Sequence, residues 1–176
     1  MSNLTIAQSL RRIKKCKGRI AELKSRAMQS VSYAADKKPT FDFKVMREEL
    51  AAAKEELVGL ESAVAVANAT TSVSFEGKEM RLAEAIRRLQ ELKDEMSWLP
   101  QLHIQEGVER VPEVEWDPEK ERQIRVTREV KWQTGLPELE RVKEIEGLRD
   151  KFERLNDLVE TANHRTEVEW GRAAEV

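Results

Sequence analysis

The residues best suited to chemistry in this sequence are arginines and tryptophans, the side chains that bind planar and anionic groups. A guanidinium forms forked hydrogen bonds to phosphate or carboxylate, and an indole offers a π face for stacking. Arg128 is predicted to point inward from an apolar strand face, where a buried charge needs either an acid of the same chain or a ligand phosphate. Trp98, Trp116 and Trp132 are close enough in sequence to form one cluster, with packing in a core or hairpin as the alternative. The predicted ligand-binding residues are Arg11, Arg12, Arg87, Arg88, Arg128 and Trp132.

Motifs of the common catalytic and cofactor sites are absent from the sequence. The seven glycines form neither a phosphate-binding loop nor a dinucleotide fingerprint. His103, His164 and Cys16 do not supply a zinc site without several carboxylates, and no serine or cysteine lies in a nucleophile setting. We therefore predict no catalytic residue, no metal and no cofactor, and we favour a binding protein over an enzyme. Because carboxylates are abundant, a hydrolase acting on a nucleotide stays open.

Charge is balanced overall and uneven along the chain. With 31 basic and 33 acidic residues the net charge is −2, which lacks the electrostatic footprint of a nucleic-acid-binding protein. Between Arg11 and Arg26 the charged residues are basic except for Glu22, whereas residues 138–169 are acidic. Either these two segments face each other, or the basic one forms an anion-binding patch.

Four helices are predicted from apolar residues that recur at steps of three and four. They span residues of about 4–31, 42–68, 79–99 and 136–164. The second helix is central, because its seam is unbroken: Phe43, Met46, Leu50, Ala53, Leu57, Leu60, Val64 and Ala67. Such a seam requires a second helix along it, and the last helix, with its own seam from Ile145 to Ala162, is the simplest partner.

The first and third helices align as copies of one unit, although two basic amphipathic helices can also align by chance. The alignment places Arg11 and Arg12 on Arg87 and Arg88. Two helix-pair repeats are therefore predicted, the first and second helices and then the third and fourth.

A segment between the helices alternates with a period of two, which is typical of strands. From Gln123 to Trp132 every second residue except Arg128 is apolar, and an upstream strand from Val108 contains Pro112, as edge strands do. We predict a β-hairpin over about residues 108–132. Near Glu76 and Gly77, a short hairpin or an irregular connection is expected. The predicted fold is a single, mainly α domain over residues 1–176, with long antiparallel coiled-coil helices in a four-helix arrangement and one small inserted β-hairpin.

Self-association is predicted from the second half of the central helix. Between Val58 and Ala69 the helix is apolar or small on all sides, with Glu61 as its single charge. A helix of this composition is covered on more than one side, so we expect a homo-oligomer, dimer or higher, packed around it.

A cytoplasmic location is expected from three features. A single cysteine, Cys16, allows no internal disulfide and suits a reducing compartment. No apolar run is long enough to cross a membrane, and the amino terminus lacks the apolar core of a signal peptide.

Three stretches carry a family resemblance: IAQSLRRIKKCKGRIAELKSR, ANATTSVSFEGKEMRLAEAI and LNDLVETANHRTEVEW. Through them the chain resembles the septicolysin-annotated family of small α-helical bacterial and phage proteins, most of which are uncharacterised. The resemblance implies an oligomeric protein of long helices with a small β element, and no established reaction. His164 stands where the family usually has tryptophan, so a family site that includes this position is altered here. His164 is also one of the predicted ligand-binding residues.

These observations lead to one main functional hypothesis and one alternative from another class. The main hypothesis is a non-enzymatic oligomeric protein that captures a small anionic ligand between subunits, such as a nucleotide immune signal. In a phage this protein would be a sponge with an anti-defence role. The alternative is a structural or scaffolding coiled-coil protein that binds protein partners. A nucleic-acid role ranks third, and a membrane role is not expected.

Overall fold

The computed structural model describes residues 4–34, 36–37 and 39–170, which form four α-helices and six strands. The helices are α1 (Ile6–Ser30), α2 (Phe43–Thr70), α3 (Leu82–Trp98) and α4 (Glu138–Arg165), and a 3-10 turn at Leu99–Gln101 follows α3. The strands are β1 (Leu4–Thr5), β2 (Ser72–Phe75), β3 (Lys78–Arg81), β4 (Gly107–Asp117), β5 (Arg122–Trp132) and β6 (Glu167–Val168).

The strands form three antiparallel two-stranded sheets, β1 with β6, β2 with β3 and β4 with β5. The fold is therefore mixed α and β, and the prediction of a mainly α, four-helix coiled-coil protein with a single inserted hairpin is wrong. The β1–β6 sheet escapes a search for alternation because its strands have two residues each. The β2–β3 turn is a tight reversal, with positive φ at Glu76 (50°) and Gly77 (77°), as a type I′ turn requires. Of the two alternatives for this connection, the hairpin is the one observed.

Two compact units divide the chain, and the division falls within α3 and α4. Unit 1 contains the described residues up to Leu89 together with those from Arg154 onward, and unit 2 is Gln90–Glu153. The sequence predicts a single domain, and the division into two units leaves that prediction untested.

The two longest helices of unit 1 begin at side-chain caps. Thr5 accepts a hydrogen bond from the Gln8 backbone N–H at 3.3 Å, while the Gln8 side chain accepts one from the Thr5 N–H at 2.9 Å. This capping box satisfies two donors that would otherwise lack partners at the start of α1. Asp42 caps α2 by accepting from the N–H groups of Lys44 and Val45, as its position before the seam predicts.

Helices α1 and α2 pack antiparallel and share a hydrophobic core. Its buried members are Cys16, Ile20, Leu23, Ala27, Met46 and Ala53, and Phe41, Leu50 and Leu57 pack against them. The amino half of α2 is therefore partnered by α1 and not, as the sequence suggests most simply, by the last helix. The reason is local, because α1 carries its own stripe of buried residues at steps of three and four from Ile6 to Ser30.

The largest fully buried apolar side chains of unit 1 come from five different elements. They are Ile6, Leu60, Leu82, Leu155 and Val168, from α1, α2, α3, α4 and β6. The small β1–β6 sheet brings the last of these in, since Leu4 pairs with Val168 and the Ile6 N–H donates to the Thr166 carbonyl at 3.0 Å. The two ends of the described chain therefore meet beside α1 and α2.

The carboxyl half of α2 is partly uncovered in the single chain. Val58 and Val66 are 58% and 63% exposed, while Leu60, Val64 and Ala67 are buried. The predicted homo-oligomer around this half stays a prediction.

Unit 2 contains the long β4–β5 hairpin, with the end of α3 and the start of α4. Eleven residue pairs join its strands, from Gly107 with Trp132 to Asp117 with Arg122. At the hairpin tip, the Lys120 ammonium 3.0 Å from the Asp117 carboxylate holds the pKa of Asp117 below its ordinary value. The base is held by the Glu106 carboxylate, which accepts from the Glu138 N–H at 3.0 Å.

Ser9 provides a test of the packing in unit 1. Its hydroxyl oxygen is buried and has no hydrogen-bond partner among the described residues, so its desolvation is uncompensated. We expect Ser9→Ala to raise the free energy of unfolding by about 1 kcal/mol in urea denaturation. Ser30→Ala is the control, because the Ser30 hydroxyl donates to the Arg26 carbonyl at 2.9 Å. Ser30→Ala should be less stable than wild type. A loss of stability in Ser9→Ala as well would contradict an unpartnered Ser9 hydroxyl.

Candidate functional site

A groove between α1 and α2 places two arginines opposite two glutamates. Arg12 lies 2.7 Å from Glu56, and Arg19 lies 3.3 Å from Glu49, both measured from guanidinium nitrogen to carboxylate oxygen. All four side chains are partly exposed. Ion pairs of this kind contribute about 0–1 kcal/mol each, so they position the arginines without fixing them permanently.

Trp170 closes one end of this groove. The chain leaves α4 at Arg165, forms β6 beside β1 and buries Val168, which brings Trp170 onto α2. A Cβ at Gly59 would lie 3.1 Å from the indole nitrogen of Trp170, so the missing side chain makes room for the ring. The Arg12 guanidinium lies 4.4 Å from the centre of the same ring, within the range of a cation–π interaction.

The groove has the size of a small-molecule site. Its volume is about 650 Å³, within the range of about 300–1,000 Å³ that is usual for such sites. Its lining includes the small residues Ala52 and Ala53. A second concavity of about 580 Å³ lies further along α2, and Gly59 and Trp170 line both.

The charge of the lining is nearly balanced. Two guanidinium groups, of Arg12 and Arg19, face three carboxylates, of Glu49, Glu55 and Glu56, which gives a formal charge of −1. The groove therefore offers an aromatic face and forked donors, without a net positive field. Stacking and hydrogen-bond geometry would select a ligand here more than total charge would.

Cys16 lies behind the groove wall. Its thiol donates to the carbonyl of Ala53 at 3.1 Å. Burial raises the pKa of Cys16, the charge of Glu56 raises it further, and Arg19 and Arg12 act in the opposite direction. The thiol is thus held neutral, as expected of a cysteine packed in the core.

Of the residues predicted from sequence in α1 and α3, Arg12 alone lines the groove. Arg11 lies beside it on a shallow surface with Gln8 and Lys15. Arg88 is paired within α3 to Glu84 at 2.8 Å, and Arg87 also has an interaction partner. The sequence correspondence of the two arginine pairs is therefore not matched by equivalent surroundings.

Arg128 is on the predicted strand face and is not buried. Its side chain is 70% exposed and lies 3.5 Å from Glu113 on the neighbouring strand. The prediction of a buried charge is wrong because β4 and β5 form a sheet of two strands, and no third layer covers that face within the described residues.

The predicted cluster of tryptophans in the hairpin does not form. Trp132 pairs with Gly107 at the base and donates to Glu109 at 2.8 Å, whereas Trp116 pairs with Gln123 near the tip. Nine residue steps separate the two positions along the ribbon, or about 30 Å. Trp116 and Trp132 are also on opposite faces, because residues paired in an antiparallel sheet share a face.

His164 lies near the end of α4 and is exposed. It lines a shallow depression with Asp157, Glu160, Thr161 and Arg165, apart from the groove residues of α1 and α2. The predicted ligand-binding residues are thus distributed over several surfaces, and Arg128 and Trp132 belong to unit 2.

Residues of the basic stretch of α1 form ion pairs with glutamates of α2. Ion pairs join Arg12 to Glu56, Arg19 to Glu49 and Lys17 to Glu61. Neither sequence alternative named this helix, since one paired the stretch with the acidic segment 138–169 and the other left it for an anion.

Trp170 and Gly59 are the site residues that the sequence reasoning missed. The available signal was the combination of a tryptophan shortly after the last helix with a glycine inside a long helix. A glycine there costs about 1 kcal/mol relative to alanine, and a close approach to the backbone accounts for that cost at Gly59, whereas Gly18 and Gly147 are helical glycines with nothing near them.

The residues that the structure describes include neither a candidate metal site nor a membrane-spanning helix. They contain no group of three or more His, Cys, Asp or Glu side chains that could hold a metal ion. None of their helices has the length and the apolar content needed to span a bilayer.

Comparison with known proteins yields a family and a fold. Residues 13–168 match a family described as a family of unknown function, DUF6847. No curated protein matches the chain. A crystal structure of a functionally unknown conserved protein from Corynebacterium diphtheriae is similar, with a TM-score of 0.66 and 13% sequence identity, over 96% of this chain and 100% of that one. At this identity the likeness shows the fold alone, and the resemblance to septicolysin proteins stays a prediction.

The contact between Gly59 and Trp170 is testable with a matched pair of helical glycines. Gly18→Ala should raise the free energy of unfolding by about 0.5–1 kcal/mol, because its Cβ would contact nothing within 4 Å. Gly59→Ala should gain less or lose stability, because its Cβ would displace the Trp170 ring. Acrylamide quenching of tryptophan fluorescence should increase for Gly59→Ala alone. Equal gains for both variants with unchanged quenching would contradict the contact.

The neutral thiol predicts a pH dependence of stability. The pKa of Cys16 is raised in the folded state. The stability that the neutral thiol contributes is therefore complete at lower pH, and it is lost as the thiol of the unfolded chain ionises from about pH 8.5 upward. Urea denaturation between pH 7 and 10 should therefore show a steeper loss for wild type than for Cys16→Ala. Parallel curves would mean that the buried thiol does not contribute.

Proposed function

We propose that this chain, which belongs to the DUF6847 family of unknown function, is an oligomeric binding protein that captures a small anionic ligand with a planar part, such as a nucleotide. The observation that carries the proposal is the Arg12 guanidinium, 4.4 Å from the centre of the Trp170 ring, in a groove of about 650 Å³. A planar base can stack beside this pair while an anionic group takes the forked donors of Arg12 or Arg19.

The arginines can change partners at small cost. Each is held by a partly exposed carboxylate, Glu56 or Glu49, and such pairs are weak. A phosphate that replaces the carboxylate keeps the hydrogen bonds of the guanidinium, and the displaced glutamate side chain can return to water. This exchange supports reversible capture of an intact ligand.

The charge of the residues that line the groove restricts the ligands that would bind there. A groove with a formal charge of −1 attracts a highly charged polyphosphate poorly, because its carboxylates repel it. Ligands with one or two negative charges and a large planar group fit better, as cyclic nucleotides do. Capture of such a signal in the cytoplasm is the sponge role, with an anti-defence effect if the protein acts in a phage.

A scaffolding function is the second candidate. Large apolar side chains exposed on the hairpin favour it, among them Val108 (63%), Val114 (58%) and Trp116 (62%). Exposed apolar side chains on one face of β4 are what a protein partner would cover. Charge reversal at Arg11, Arg12, Arg87 and Arg88 separates the two functions, because a scaffold would change its assembly and show no ligand phenotype.

Ligand capture is tested on the full chain with a panel of cyclic nucleotides and ADP-ribose derivatives. Thermal shift should identify a binder, and isothermal titration calorimetry should give its affinity. Trp170→Ala and Arg12→Gln should each weaken binding about tenfold or more, because stacking on an aromatic side chain contributes about 1–3 kcal/mol per base.

Arg26→Gln is the matched control for Arg12→Gln. Arg26 is also on α1, is paired with Glu22 and lies 5.1 Å from the ring centre of Phe41, outside the groove. Its loss should leave the affinity unchanged. The proposal fails if no nucleotide shifts the melting temperature and native mass spectrometry of protein purified from cells finds no bound small molecule. It also fails if Arg26→Gln weakens binding as much as Arg12→Gln.

A further inference from the structure

The β4–β5 hairpin is a long ribbon with one free edge on each strand. Its strands have 11 residues each and belong to a sheet of two strands, so no other described strand lies beside them. Most of its side chains on both faces are exposed. An isolated two-stranded hairpin is marginally stable in water, and its unpaired N–H and C=O groups are a template for another strand.

The two edges differ in what they can accept. Strand β4 contains Pro112, which has no N–H, and its acids outnumber its single arginine, Arg110. Strand β5 contains no proline, and its charges are Arg122, Arg125, Arg128, Glu129 and Lys131. Because proline interrupts the hydrogen-bond ladder of an edge, β5 is the edge open to a further strand.

The sequence of β5 is self-complementary about Thr127. If a second β5 runs antiparallel with its Thr127 opposite the first, Ile124 faces Val130 and Arg125 faces Glu129, each twice by symmetry. In the same register Arg122 faces Trp132, Gln123 faces Lys131 and Val126 faces Arg128. Apolar and opposite-charge pairs across strands contribute about 0.2–1 kcal/mol each, and an arginine beside an indole adds a cation–π interaction.

Neighbouring registers lack the charge complementarity of the Thr127 register, although the register centred on Arg128 also pairs apolar residues, Val126 with Val130 and Ile124 with Trp132. Centring the pairing on Arg128 places that residue against its own copy and places Arg125 against Lys131. Centring it on Val126 places Ile124 against Arg128 and leaves Arg125 against Thr127. Like charges directly opposite are destabilising, so the Thr127 register is the favoured one.

We propose that two copies of this chain associate through their β5 edges, antiparallel and centred on Thr127, to form a four-stranded sheet in the order β4–β5–β5–β4. The contact is isologous and closes as a dimer, whereas β5 against β4 would meet Pro112 and continue as an open filament. Ile124, Val126, Val130 and Trp132 of both copies then share one face. The inference specifies the oligomeric part of the proposed function and does not depend on the ligand-binding part.

The register is tested by single cysteines in the full chain. Thr127 residues of the two copies would lie about 4.5–5.5 Å apart between Cα atoms, within the range of about 4.4–6.8 Å that a disulfide spans. Gln123 residues would be separated by eight residue steps, about 26 Å. Under mild oxidation Thr127→Cys should form a covalent dimer and Gln123→Cys should not, and the native Cys16 is buried.

Light scattering at micromolar concentration provides a second measurement that needs no disulfide. Wild type should be a dimer, and Arg125→Glu should raise its dissociation constant about tenfold or more, because it opposes Glu129 twice. Adding Glu129→Arg should restore the dimer. Arg110→Glu is added to this double variant, because Arg110 lies 3.2 Å from Glu129 within the chain and would otherwise face the new arginine.

Three outcomes would overturn the proposal: a monomer at all concentrations, a dimer indifferent to Arg125→Glu, or equal crosslinking of Gln123→Cys and Thr127→Cys. Trp170→Ala separates this proposal from ligand capture. It should weaken nucleotide binding about tenfold or more and leave the dimer intact, so failure of either proposal is recognised independently.

Discussion

The pairing of the two ends of the described chain determines the geometry of unit 1. Strands β1 and β6 contribute two residues each, so the hydrogen bonds between them are few and each adds about 0.5–1.5 kcal/mol. Burial of Val168, which is 1% exposed, adds a comparable amount of about 1.5–3 kcal/mol. Together these interactions hold the segment after α4 against α1 and α2. Trp170 reaches the groove because this segment is held.

The small residues of α2 acquire a specific meaning from this pairing. Their composition indicates close approach of another element, but it does not indicate which one. In the structure, Gly59 receives Trp170 of the same chain. Val58 and Val66 remain exposed on the same half of the helix, so intrachain packing explains one side of its apolar surface and leaves the other.

Features encoded by neighbouring residues could be predicted, and features that join distant residues could not. Thr5 and Asp42 cap the helices that they precede, and alternation places β5 where it lies, because caps and periodicity are local. The β1–β6 sheet joins residues at opposite ends of the chain, which no window of sequence contains. Arg128 is a further example. The alternation of residues along β5 correctly predicts which face of the strand Arg128 is on, but it does not reveal whether another layer covers that face.

The same distinction applies to charge. The basic stretch of α1 is visible in the sequence, yet its effect depends on the glutamates that α2 places opposite it. A patch neutralised within its own chain exerts little long-range attraction on an anion, because the fields of opposite charges a few ångströms apart largely cancel at a distance. Salt screens the remainder over a Debye length of about 8–10 Å. Recognition in such a groove depends on contact: an indole face, a guanidinium oriented beside it and a carboxylate that can withdraw. A site of this kind distinguishes ligands by shape and hydrogen-bond pattern, which suits the capture of one small molecule better than the binding of a nucleic-acid backbone.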